Sequence, residues 1–108
     1  MITHKTYNKL VRDRIPEIIE KNGNTCTIEI LTDDEYRRMI DLKLDEELAE
    51  YHRDQNIEEL ADLLEVIYAA VKARGYTIKE LEQVRAEKAD KRGGFEKKIL
   101  LKEVTEHD

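Results

Sequence analysis

An all-α fold, a small helical bundle with a minor two-stranded β element, is what this 108-residue sequence predicts. Three observations carry that expectation. Four segments carry helix start signals, and the two central ones also repeat apolar residues at helical spacing. The chain has one Pro and four Gly, too few for a loop-dominated fold. Charged residues reach 41% and aromatics only 6%, yet Leu, Ile, Val and Phe still make up about 26%. That lies above the roughly 20% below which disorder prevails. The length suits a single domain, residues 1–108. Its core will be modest, which makes self-association an expectation.

The first helix is short, about Asp13 to Lys21. Asp13 is placed to cap it, Pro16 sits in the tolerated first turn and Gly23 follows its end. Residues Thr25 to Leu31 read as a strand, because Ile28 and Ile30 flank Glu29 in alternation. Thr32-Asp33-Asp34-Glu35 reads as a capping box that opens a long helix to about Arg53. Asp54-Gln55-Asn56 is a break, and Asn56 caps a third helix to about Arg74. Gly75 suits its left-handed stop. Thr77-Ile78-Lys79-Glu80 is a second capping box, opening a last helix to about Lys91. Lys98 to Val104 is the candidate partner strand for residues 25–31.

The net charge of −6 disfavours a nucleic-acid polymer or an anionic membrane as partner, since such binders present a basic footprint. No apolar run is long enough to span a bilayer. The N-terminus has no apolar leader segment, and Cys26 is the lone cysteine. Both fit a cytoplasmic protein, with Cys26 read as a small apolar filler.

The charge is unevenly spread. Residues Asp45 to Glu65 hold nine carboxylates against Arg53 alone, a net −8. Residues 1–14 are net +3 and residues 84–102 net +4. The acidic stretch spans the two central helices, whose short connection predicts an antiparallel hairpin. On ideal wheels, Ile40, Leu44, Leu48 and Tyr51 form one apolar stripe, with Glu47 and Glu50 on its flank. Leu60, Leu63, Leu64, Ile67 and Val71 form the other, flanked by Glu59 and Asp62. Docking stripe to stripe brings both flanks to one side at matching heights. Four carboxylates are therefore expected to converge, with Glu46, Glu58 and Glu65 pointing further round.

A solvated charged face would interleave Lys and Arg at i+4, and this one has almost none. Each like-charge neighbour pair costs about 0.2–0.5 kcal/mol, and a divalent cation relieves that repulsion. Oxygen donors without His or Cys select Mg²⁺ or Mn²⁺ over Zn²⁺. A competing use exists for Glu59, which sits three residues after Asn56 and could close a capping box.

Metal-binding carboxylates beside basic segments suggest a polyphosphate substrate. Lys9, Arg12 and Arg14 lie in the segment that enters the first helix and are candidate phosphate contacts. So are Lys88, Lys91 and Arg92, where Gly93-Gly94 allows close approach of backbone amides to an anion. A plain helix stop explains that last segment equally well.

The motifs resemble a known family. Glu47-Leu48-Ala49-Glu50 followed by Glu59-Leu60-Ala61-Asp62 is similar to the ExxE…ExxD signature of the all-α nucleoside triphosphate pyrophosphohydrolases, the MazG-like and phosphoribosyl-ATP pyrophosphohydrolase-like proteins. Lys88…Lys91-Arg92-Gly93-Gly94-Phe95 resembles the ending of MazG-like members. Tyr7-Asn8-Lys9-Leu10-Val11-Arg12-Asp13-Arg14-Ile15-Pro16 resembles the opening of a phosphoribosyl-ATP pyrophosphohydrolase-like subgroup. The resemblance implies a MazG-like bundle and Mg²⁺-dependent hydrolysis of a nucleotide between its α- and β-phosphates. It also implies homodimers or homotetramers. The stretch Leu64-Glu65-Val66-Ile67-Tyr68 lacks the His of the histidine-biosynthetic enzyme, which favours a broader or damaged-nucleotide role.

The sequence therefore leads to a nucleotide pyrophosphohydrolase in which Glu47, Glu50, Glu59 and Asp62 hold one or two Mg²⁺ and Glu50 aligns the attacking water. Two alternatives stay open. One is a non-enzymatic helical interaction module; the other is a nucleotide-binding regulatory dimer.

Overall fold

The computed structural model describes residues 2–107. Among them, regular structure is helical throughout: α1 (Ile15–Lys21), α2 (Asp33–Asp54), α3 (Ile57–Ala73) and α4 (Ile78–Arg92). No helix among the described residues is long and apolar enough to cross a membrane. The chain divides into two compact units, Met1–Tyr76 and Thr77–Asp108. The first contains an N-terminal arm and α1 to α3; the second contains α4 and the segment after it.

Capping sets most helix starts. Thr32 is extended and its hydroxyl accepts the Glu35 N–H at 3.3 Å, opening α2. Glu35 turns its carboxylate to the Thr32 hydroxyl at 2.9 Å, which leaves this box half complete. Asn56 accepts the Glu59 N–H at 3.0 Å, opening α3. Thr77 and Glu80 form the full reciprocal box of α4. Only α1 departs. Asp13 does not cap it, because Arg14 is the N-cap and makes no side-chain cap bond. A backbone turn leads in instead, with the Ile15 N–H on the Arg12 carbonyl at 3.0 Å.

The expected two-stranded element is not formed among the described residues. Residues 25–31 and 98–104 have no strand structure. An isolated two-stranded ribbon is marginal in water, and the two segments belong to different units. Lys98 also sits at φ 59°, outside the extended region a strand needs.

In the first unit, α2 and α3 are the packed helix pair. Gln55, at φ 50°, reverses the chain between them, with its N–H on the Tyr51 carbonyl at 2.7 Å. Ile40 and Val66 are the buried apolar residues of this hairpin. Its seam keeps part of the stripes the wheels predict, since Ile40, Leu44, Tyr51, Leu63, Ile67 and Val71 are buried or half-buried. Leu48, Leu60 and Leu64 are 43%, 42% and 45% exposed, whereas Glu47 is buried. On α3 the covered residues include Glu59, Asp62, Leu63, Val66, Ile67, Ala70 and Val71, so the covered arc is shifted from the expected stripe toward Glu59 and Asp62. A wheel centres an apolar stripe but does not say which of its edges meets the neighbouring helix.

Candidate metal centre

The shifted seam carries the acidic residues inward. Glu47, Glu59 and Asp62 each present an oxygen within 4.8 Å of the others. Glu46, Glu47 and Glu50 form a second such triad, so Glu47 belongs to both. The local reason is the helical repeat. Glu46, Glu47 and Glu50 lie within one turn of α2, and Glu59 and Asp62 within one turn of α3. The two-residue connection brings those turns to similar heights.

Glu47 is only 6% exposed, and its Oε2 is buried without a hydrogen-bond partner. Its Oε1 lies 3.4 Å from the Lys43 ammonium. Glu59 also has a buried, unpartnered Oε2. This bears on the competing use of Glu59. Asn56 takes the Glu59 backbone N–H, but the Glu59 carboxylate makes no return bond to the cap and remains in the cluster.

The electrostatics follow from this crowding. Burial raises the Glu47 carboxyl above its usual value, helped by a hydrogen bond to Glu50 and the Glu50 charge; Lys43 opposes. Loss of solvation and the charges of Glu50, Asp54 and Asp62 raise Glu59 likewise. Glu46 behaves differently. Burial opposes its ionisation, but bonds and charge from Lys9 and Lys43 prevail and hold it below the usual range.

The donor set fits a hard divalent cation. All candidate ligands are carboxylate oxygens, which suits Mg²⁺ or Mn²⁺. Opposite ligands of an octahedral Mg²⁺ are about 4.2 Å apart, so oxygens within 4.8 Å need only a small closure. A buried oxygen with no partner carries a desolvation cost that such an ion would offset.

The cationic candidates divide into three groups. Lys9 bonds Glu46 at 3.0 Å, and Arg12 bonds Asp62 at 2.7 Å. Both therefore reach the cluster, but as partners of its carboxylates. Arg14 is exposed and makes no ion pair among the described residues. Lys88, Lys91 and Arg92 lie on the exposed last turns of α4, in the second unit.

Two cluster members escaped the sequence reading. Glu46 was expected to point away, yet it joins a triad and receives Lys9 and Lys43. Lys43 lies just before the acidic stretch, but its i+3 and i+4 spacing to Glu46 and Glu47 was a readable signal.

No family model matches this chain, and no solved structure matches it. A stretch of 42 residues is 60% identical to an uncharacterized protein of Mycolicibacterium smegmatis. The match covers 39% of this chain and 43% of that protein, so it spans less than half of the relative's length.

Proposed function

We propose that this chain is a Mg²⁺-dependent nucleotide pyrophosphohydrolase that cleaves a nucleoside triphosphate, or a phosphoribosyl-ATP-like substrate, between its α- and β-phosphates. The products are a nucleoside monophosphate and pyrophosphate. The observation that carries the reading is the unpartnered pair of buried oxygens, Glu47 Oε2 and Glu59 Oε2, within one carboxylate cluster. The order of the three family-like motifs supports the substrate class.

In this reading Glu47, Glu50, Glu59 and Asp62 hold one or two Mg²⁺, and Mn²⁺ can substitute. The bound cation polarises the scissile phosphoryl group and offsets its charge. Glu50, half-buried beside Glu47, orients the attacking water and accepts its proton. Lys9, Arg12 and Arg14 contact phosphate oxygens beside this cluster; Lys88, Lys91 and Arg92, in the second unit, are a separate candidate phosphate-binding segment. Self-association into a homodimer or homotetramer belongs to the same reading, supported by the uncovered leucines of the hairpin.

The test is a screen of ordinary, deaminated and oxidised triphosphates plus phosphoribosyl-ATP, reading pyrophosphate with and without Mg²⁺. Metal-dependent release from at least one nucleotide is expected, with Glu50→Gln slowed by about 100-fold or more. Full activity in Glu50→Gln would remove its assigned role. No heat of Mg²⁺ binding and no turnover would favour the interaction module instead.

A further inference from the structure

The arm before α1 bonds to both central helices through its cations. It bends at Asn8, which adopts φ 47°. Lys9 then meets Glu46 on α2, and Arg12 meets Asp62 on α3. A small cavity of about 100 Å³ lies between this arm and α2, lined by Lys9, Leu10, Met39 and Lys43 among others. Each ion pair involves a member of one carboxylate triad.

We propose that this arm is a strap released by a divalent cation: Arg12 holds Asp62 until the cation takes that carboxylate, and Lys9, held by Glu46 beside the ligands, is loosened by the same charge. The freed guanidinium and loosened ammonium then face an anionic ligand. The inference rests on the metal-site reading above, and gives that site an order of events.

Three observations support the exchange. Arg12 and Asp62 are 58% and 41% exposed, so their pair is weak and easily traded. A divalent charge on Asp62 would repel a guanidinium a few ångströms away. Glu47 and Glu59 keep unpartnered oxygens while Asp62 and Glu46 are covered. The cluster is thus half closed by the chain's own cations and half open. The same two cations cannot serve a carboxylate and a phosphate fully at once, so phosphate binding becomes conditional on the metal.

The full chain can be tested with Mn²⁺ alone, by calorimetry and by limited trypsin digestion. A guanidinium engaged by Asp62 resists the protease. Saturating Mn²⁺ should therefore speed cleavage after Arg12 several-fold, measured against a reference peptide in the same digest. Arg12→Gln should bind Mn²⁺ about two- to fivefold tighter than Arg14→Gln, which removes the same charge from the arm without breaking a pair. Mn²⁺ binding with unchanged cleavage, and equal affinities of the two variants, would overturn the strap and leave the metal site standing. Absence of Mn²⁺ binding in all three proteins would overturn the metal reading, and the strap with it.

Discussion

Glu47 is the residue at which burial and charge conflict most directly. Its carboxyl, like that of Glu59, is pushed above the ordinary value. Between the unfolded and the raised folded pKa, the folded chain binds more protons than the unfolded one. These two groups therefore make stability fall as pH rises through that window. Glu46 works in the opposite sense, since its lowered pKa gives stability that is lost on acidification. Comparing Glu47→Gln with wild type separates the two. In chelator at neutral pH, Glu47→Gln should melt higher than wild type, with the gap closing toward pH 4.5. Adding Mg²⁺ or Mn²⁺ should raise the wild-type Tm and leave the variant's nearly unchanged. Thermal melts across pH check both. A variant that is less stable than wild type at neutral pH would show that the buried charge is already compensated by Lys43. That Glu47 matters was legible from its spacing to Glu50. That it would be the buried member was not, because its depth depends on how α2 is turned.

For the helices, the capping signals were the most readable part of the sequence. Thr32, Asn56 and Thr77 all cap as their residue types require. Each such signal is local, since a side-chain oxygen reaches an amide three residues on. Asn56→Ala should cost about 1 kcal/mol in denaturant unfolding. It should also weaken Mn²⁺ binding, because that cap fixes the turn of α3 bearing Glu59 and Asp62. The seam is the counterexample. Leu60 and Leu64 looked like core by spacing, whereas Val66 is the buried residue of α3. Ile40→Ala should cost about 2–4 kcal/mol, against roughly 0.5 kcal/mol for Leu60→Ala in dilute, monomeric protein. Similar losses at both positions would restore the seam expected from the wheels. The strand expectation failed for a related reason. Alternation at Ile28 and Ile30 offers a face, but a strand also needs a partner ladder, and alternation does not supply one.

The whole molecule presents more apolar surface than its covered seam accounts for. Leu42, Leu48, Leu60 and Leu64 on the hairpin are all more than 40% exposed. Isolated exposed leucines are ordinary, but under the proposed self-association these would be covered by a second copy. Light scattering should give a mass at least twice that of the 108-residue chain. Leu60→Glu with Leu64→Glu should lower it toward the monomer while helix content persists. A wild-type monomer at high concentration would end the oligomer proposal. Taken alone, the net charge of −6 argued against a polyanionic ligand. Under the proposed metal reading the clustered carboxylates reverse that inference, since a divalent ion held there would change the sign of the site. By itself the sequence determined the four helices, the N-caps of α2, α3 and α4 and the carboxylate pairs, all written in spacings of three and four residues. The tertiary structure alone decided which edge of the α3 stripe meets α2, and that Lys9 and Arg12 lie on carboxylates. Those outcomes depend on the rotation of one helix against another and on the path of the arm, which bends at Asn8. Neither is encoded in the period of a single helix.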